Sequence, residues 1–577
     1  QSPWIWAMSG AWILAITTLT LFWGIGEIGL IDETEPLFVE ASRQMLLSGD
    51  WVTPYFDGET RFDKPPLIYW LMVLSFKVFG VSEWAARLPS ALAAVAIVIL
   101  TFYTIQQHSH SLGPSATSEP DERRPATASW LGATMLVLNL NTYFWGRTGY
   151  ADMLLTTCMG GSLLAFFLGY AQPLDNTETK TPRHKQYWYW AFYVLTALAI
   201  LTKGPIALLL PALIIGIFVI YVGNGREVLR EMQLPWGILL ICIIAIPWYV
   251  LVILANGEAF IDDFFGYHNL VRFSSVVNQH SGPWYFHFLV ILAGFFPWSA
   301  YLPTALYRTL PWKREWWQQR SRSDQLSLYA WIWFAVILGF FTVSVTKYFS
   351  YTLPLMPAAA ILVGLFGADE TLMLKIRRWD ASRWFNVVLF GGMAGLLLAC
   401  PPLLGNDPWM PLLGQKIAAA HIPEWGGILW ATATLVGVAC VLKRSNALWL
   451  VNTVVMILFI GTVLHPAIAI VDEARQLPLR ELAQVATTIK RPQEDLIMIG
   501  FRKPSLVYYA KTHVVYLEEP SQLQPFLEQS DHTEPLILTT PKLLGKTGLT
   551  SQDYQTLKQA SVYTLVRLHE THAPTIH

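Results

Sequence analysis

Apolar stretches long enough to cross a bilayer recur along the whole of this 577-residue chain, and no other feature limits its fold as much. A helix needs about 20 mostly apolar residues to span the hydrocarbon core. By that measure spans are expected at 4–24, 89–106, 129–145, 149–171, 187–201, 205–222, 236–255, 284–306, 328–346, 349–366, 385–404, 427–442 and 447–469, thirteen in all. The composition agrees: 54% of the residues are hydrophobic and 14% charged, against about a quarter charged in soluble domains. A formal charge of −1 with no Lys/Arg stripe excludes a nucleic-acid-binding face. Cys158, Cys242, Cys400 and Cys440 all sit in apolar runs without ligand spacing, so neither a disulfide framework nor a thiolate metal site is expected. The first span lacks a basic leading region and a small-residue cleavage site, which reads as a retained helix rather than a signal peptide.

Most loop Lys and Arg fall on one side of this arrangement, which places the N-terminus in the cytoplasm. The opposite side then carries isolated cations, Arg147, Lys203, Arg272 and Lys347 among them. Each alone is explained by snorkelling to headgroups, but several beside carboxylates mark a candidate anion site. Residues 25–88 form a first outer loop too long for a simple connection. A short helix is expected over Asp32–Ser48 and an interfacial helix over Leu67–Phe79, opened by Pro65-Pro66. The chain divides into a membrane module, residues 1–471, and a small α/β domain, residues 472–577. Helical patterns are read at 478–490, 521–529 and 554–560, and strand-like runs at 495–500, 514–517, 535–539 and 562–568. An odd number of spans puts this domain outside. It has no GxGxxG or P-loop, so support or acceptor presentation is the expected role.

Two outer carboxylates stand out. Asp32 opens Asp32-Glu33-Thr34-Glu35 where the first span emerges, and Asp152 follows Arg147 at the head of a span. A helix cap explains either one, while a buried acid at a span's end more often marks function or a pair with a cation such as Arg147. Lys64, beside the interfacial helix, is well placed to meet a lipid phosphate. Tyr267, Arg272, Lys347 and Tyr351 add donors from two further outer segments, and together these make a phosphate cradle. Asp63 is explained by a local ion pair in Arg61-Phe62-Asp63-Lys64.

Asp32-Glu33-Thr34, the run Ser48 to Pro54, Asp63-Lys64-Pro65-Pro66-Leu67 and the segment Gly80 to Pro89 resemble the bacterial branch of the protein-mannosyltransferase-like glycosyltransferases. Within it the resemblance is nearest to the aminoarabinose transferases acting on lipid A, glycosyltransferase family 83. Thr202-Lys203-Gly204-Pro205 and Lys347 to Pro354 add to it. The resemblance implies a GT-C fold of about thirteen membrane helices with a small periplasmic domain, in a bacterial inner membrane. It implies a sugar donor on undecaprenyl phosphate. Carried over by motif, Asp32 and Asp152 become the reaction-centre carboxylates, and Lys64, Arg272 and Tyr351, with Tyr267 and Lys347 nearby, the donor-phosphate ligands. Glu33, Arg147 and Lys203 fall to the acceptor or sugar site. Asp63 stands where those transferases carry Glu and is offered as a divalent-metal ligand; its shorter side chain and missing partner His argue that no cofactor is required.

A polyprenyl phosphate is a good leaving group, so cations on its oxygens and a carboxylate for the acceptor suffice, and direct displacement inverts the anomeric centre. The expected enzyme is a monomer that moves a sugar to a lipid A-like glycolipid. A protein O-glycosyltransferase with the same donor, and a transporter of lipid-linked sugars, are the alternatives. The transporter predicts charges near mid-bilayer, whereas here they sit at the outer ends.

Overall fold

The computed structural model describes residues 3–109, 124–172, 183–271, 281–373, 381–404, 407–529 and 534–569. Helices occupy all thirteen apolar stretches. The membrane module opens with α1 (Pro3–Thr17), α2 (Glu35–Ser48), α3 (Leu67–Phe79), α4 (Glu83–His108), α5 (Arg124–Leu138), α6 (Leu140–Gly146), α7 (Ala151–Tyr170), α8 (Arg183–Lys203) and α9 (Ile206–Val222). Among the described residues eight helices are long and apolar enough to cross singly. Phe286–Gly294 and Trp298–Thr309 are bent by 118° around Pro297, which withholds an N–H, and form either a ninth, broken span or a re-entrant loop. The remaining apolar helices, Ala7–Phe22, Pro125–Leu138 and Ile206–Val222, are shorter.

Local chemistry sets the outer-loop elements. The helix expected from Asp32 starts three residues later, at Glu35, because Pro36 suits a first turn, and it stops at Gly49 with φ 73°. Gly80 ends α3 at φ 80°, and Ser82 starts α4 by accepting the Ala85 N–H at 3.3 Å. At the centre of the bundle, α7 and the Phe349–Asp369 segment are 89% buried. Leu234–Asn256 is 17% buried and turns Ile243, Val250 and Leu254 outward, as a lipid-facing helix must.

The last membrane helix runs unbroken to Arg475, past the boundary expected at residue 472. A five-stranded sheet follows, in the order β4 (Val515–Leu517), β3 (Leu496–Ile499), β5 (Leu536–Thr539), β7 (Tyr563–Leu568), β6 (Tyr554–Ala560). Strand β3 is parallel to both its neighbours, and β7 is antiparallel to β5 and β6. The helix expected over 554–560 is thus a strand. Ser561 at φ 51° lets the chain reverse so that Ala560 faces Tyr563, and pairing with β7 overrides the local preference of Gln555, Leu557 and Lys558. A short helix at Ser505–Ala510 was not expected. The first loop also supplies a hairpin, β1 (Tyr55–Phe56) with β2 (Glu59–Thr60), whose Phe56 is buried in the core of the sheet domain. Loop and domain therefore lie on one face of the membrane module.

Candidate active site

α8 ends on Lys203, and Gly204 at φ 79° turns the chain directly into α9. A side chain there would also meet Phe264, since a Cβ would lie 2.8 Å from Cζ. This turn sets Lys203 opposite the first turn of α7, where its Nζ donates to Asp152 Oδ1 at 2.6 Å. Beside the pair lies a cavity of about 860 Å³, part of it open to solvent. Asp63, Lys64, Lys203, Ser344, Ser350 and Tyr351 give it a polar lining. Leu155 and Met159 follow one and two turns deeper on α7, and Ile206 and Leu210 do so on α9, so the lining becomes apolar with depth. The Lys203 ammonium also stands 5.7 Å from the centre of the Tyr351 ring.

Lys64 Nζ donates to the Asp63 carbonyl at 2.8 Å and stays 3.6 Å from its carboxylate. Asp63 Oδ2 receives Arg61 at 2.6 Å, and Oδ1 the Tyr69 hydroxyl at 3.0 Å. Two cations and a hydroxyl around one carboxylate suit a counter-ion and not a metal ligand. Among the described residues no group of three His, Cys, Asp or Glu surrounds a metal-sized space. The metal expected at Asp63 does not fit this donor set.

Asp32 lies outside the cavity lining, buried between the first loop and the sheet domain. The Ser505 N–H donates to its Oδ1 at 3.0 Å, and the Ser505 hydroxyl donates to Oδ2. With the Gln476 amide oriented to satisfy both contacts, its nitrogen donates to Oδ2 at 3.1 Å and its oxygen accepts the Asp32 N–H at 3.0 Å. Asp32 does cap a helix, but one in the sheet domain and not its own. Burial pushes its carboxyl up to about 6, against the pull of the Ser505 hydrogen bonds and of Lys503 and Arg475.

A fully buried pair holds this loop in place. Arg87 meets Glu35 with Nε at 2.8 Å and Nη2 at 2.8 Å, and gives its other N–H groups to the carbonyls of Ile25, Ile28 and Gly29. All five guanidinium donors are used. Glu35 in turn accepts the Ile31 N–H at 2.7 Å and the Gly149 N–H at 2.6 Å, so the loop is tied to the turn that precedes Asp152.

Residues 30–256 match the family of dolichyl-phosphate-mannose-protein mannosyltransferases, and residues 489–576 the C-terminal domain of cyanobacterial RgtA-type glycosyltransferases. The chain is 28% identical over 385 residues to the undecaprenyl phosphate-alpha-4-amino-4-deoxy-L-arabinose arabinosyl transferase of Aeromonas salmonicida, covering 66% of this chain and 63% of that protein. It is 28% identical over 431 residues to the enzyme of the same name from Pseudomonas paraeruginosa, covering 72% and 71%. ArnT from Cupriavidus metallidurans, solved bound to undecaprenyl phosphate, superposes with a TM-score of 0.74 at 19% identity, covering 96% of this chain and 97% of that one. The chain has the GT-C fold and is related to these glycosyltransferases.

In this GT-C scaffold the residues singled out by sequence separate into groups. Lys64, Lys203 and Tyr351 come together at the cavity, with Asp152 bonded to Lys203. Arg147 neither joins them nor pairs with Asp152. Its Nη1 bonds the carbonyls of Thr20 and Trp23 at 3.0 and 2.7 Å, closing the end of the first span. Lys347 spends its ammonium on the carbonyls of Phe341, Thr342 and Ser344, at 3.1, 2.7 and 2.7 Å, where it caps a helix end and is not presented to a phosphate. Glu33 is exposed, 3.5 Å from Lys503 of the sheet domain. Arg272 and the Tyr267 side chain lie outside the described residues. Sequence reasoning passed over Glu35, Arg87, Ser505 and Ser350. An Arg at the head of an otherwise apolar run is the signal that could have found Arg87.

Proposed function

We propose that the chain is an inverting glycosyltransferase that takes a sugar from undecaprenyl, or another polyprenyl, phosphate and places it on a lipid A-like glycolipid at the outer face of a bacterial inner membrane. The observation that carries this reading is the cavity, with two ammonium groups at a mouth that becomes apolar with depth. That gradient matches a phosphate at the top of a prenyl chain, and the arabinosyl transferases that resemble this chain act on such a donor by name.

Lys64 and Lys203 face the phosphate oxygens that gain charge as the bond from the sugar's anomeric carbon to phosphate breaks. The acceptor oxygen attacks that carbon from the opposite side, and its proton passes to a carboxylate. Asp152 is a poor base because Lys203 neutralises it at 2.6 Å. Asp32 is held by neutral donors, and among the described residues no Lys or Arg nitrogen pairs with it. Its carboxyl, lifted to about 6, suits proton uptake near neutrality. The Gly149 N–H donates to Glu35 at 2.6 Å, which brings the Asp32 loop against the start of α7. Asp32 is therefore assigned the base and Asp152 the positioning of Lys203.

The test is mass spectrometry of envelope glycolipids and glycoproteins from cells with and without the protein. A glycolipid mass that disappears with the protein is the expected result. Sugar lost from proteins instead moves the acceptor to a Ser/Thr-bearing chain, the reading favoured by the protein-mannosyltransferase match over residues 30–256. No change in either pool contradicts the assignment.

A further inference from the structure

The sheet domain grips residues 29–33 of the first loop through one contact after another. Asp472, at the end of the last membrane helix, accepts the Gly29 N–H at 2.8 Å, and the Tyr509 hydroxyl accepts the Leu30 N–H at 2.9 Å. Gln476 and Ser505 bracket Asp32, and Lys503 stands 3.5 Å from Glu33. Two residues later Glu35 is locked by Arg87 and by the Gly149 N–H. The loop is thus fixed on one side by the domain and on the other by the turn leading into Asp152. Of all these contacts, only those of Ser505 and Gln476 fall on the Asp32 carboxylate itself.

We infer that Ser505 is a positioning residue for Asp32, and that the C-terminal domain is thereby a working part of the reaction centre and not only a support. The inference rests on the assignment of Asp32 as the base. A carboxylate oxygen has two in-plane lone pairs; the Ser505 N–H on Oδ1, and the Ser505 hydroxyl with the Gln476 amide on Oδ2, fix the plane of the group and leave the second lone pair of Oδ1 for an incoming proton. The side chain that does this is supplied by an element about 470 residues away in sequence, so the loop acquires this geometry only when the domain is docked.

The charged and titratable groups around Asp32 define what the hydroxyl does. Lys503 and Arg475 favour its ionised form from the domain side. Tyr516 on β4 and Tyr563 on β7 face it as neutral phenols, and Glu33 is its exposed neighbour on the loop. Against burial, the Ser505 hydroxyl is the largest single stabiliser of the charge. Removing it raises the carboxyl further, so the ionised base is lost at a higher pH.

The experiment is the pH–rate profile of sugar transfer by the full-length protein in lipid nanodiscs, for wild type, Ser505→Ala, Ser505→Cys, Ser505→Thr and Asp32→Asn. Ser505→Ala and Ser505→Cys should move the acid limb upward by about one unit or more, and Ser505→Thr should return it. Cysteine fills the serine volume with a weak donor, so it carries the test if the alanine variant does not fold. An unmoved limb in both, with Asp32→Asn inactive, overturns the role of Ser505 and leaves the Asp32 assignment standing. Full activity in Asp32→Asn overturns that assignment and the inference with it.

Discussion

Two carboxylates, Asp32 buried and Asp152 half-buried, face the same side of the membrane and are held in opposite ways. Asp152 is paired with an ammonium at 2.6 Å beside the cavity. Asp32 sits in the seam between the first loop and the sheet domain, among a hydroxyl, a backbone N–H and an amide. Both lose water, so burial does not distinguish them. The charge of the partner does: a cation locks a carboxylate in its ionised form and dulls its basicity, whereas neutral donors in a dry setting leave it ready to take a proton. In the proposed function the phosphate site and the base are in this way kept apart, with the Arg87–Glu35 pair and the Gly149 N–H tying the Asp32 loop to the turn before Asp152.

The contrast breaks most sharply at Asp32. Asparagine keeps an acceptor for the Ser505 N–H, removes the charge and puts an NH2 donor where Oδ2 accepted, to which the Ser505 hydroxyl and the Gln476 amide can each turn an oxygen. Asp32→Asn should therefore keep its thermal stability while turnover falls roughly 10²–10⁴-fold. Arg87→Ala attacks the strut. It leaves Glu35 buried without its cation, with only the Ile31 and Gly149 N–H groups on it, at about 3–5 kcal/mol, and should appear as lost folded protein in thermal unfolding. Arg87→Lys should not restore it, because an ammonium cannot serve three carbonyls and a bidentate carboxylate together.

Smaller effects separate the cations. Lys64→Ala should cost about 1.5–3 kcal/mol of transition-state binding, a ten- to hundredfold loss in kcat/KM for the lipid donor. Lys347→Met should leave donor use unchanged and lower stability by about 1 kcal/mol, since its three bonds go to a helix end. Acidity should then drive activity and stability in opposite directions. A base works ionised, so turnover should drop as pH falls through about 6. The carboxyl of Asp32 is raised in the folded protein, so its contribution to stability is fully present below 3.8 and is lost as pH rises through about 6. Rate profiles and melting curves on one preparation measure both.

The apolar helices were legible because a bilayer demands long apolar runs, and such runs need no partner to be recognised, although among the described residues eight of the thirteen expected spans are long and apolar enough to cross singly. The interfacial helix at Leu67–Phe79 was legible for a similar reason, with Pro65-Pro66 and Gly80 as its bounds. Strand β6 was not, because its identity comes from the hairpin with β7 and not from its own residues. The same division runs through the site. Lys64, Lys203 and Tyr351 were found from the side of the membrane on which they sit, and they meet at one cavity. Arg147 and Lys347 satisfied that criterion too, yet serve backbone carbonyls. A helix end and a phosphate attract a cation by the same physics, and sequence alone does not tell them apart. Ser505 was out of reach altogether, since only the docking of the sheet domain brings it to Asp32.

The central claim is that the two carboxylates divide the labour, Asp32 as base and Asp152 as the anchor of Lys203. It is tested most directly by pre-steady-state transfer from undecaprenyl-phosphate sugar to glycolipid, with Asp32→Asn and Asp152→Asn compared across the pH range that brackets 6. The account predicts that Asp152→Asn keeps the acid limb of the wild type, at a reduced rate and with weakened donor binding, while Asp32→Asn loses the limb altogether and binds donor normally. A limb that vanishes in Asp152→Asn and persists at full rate in Asp32→Asn would contradict it.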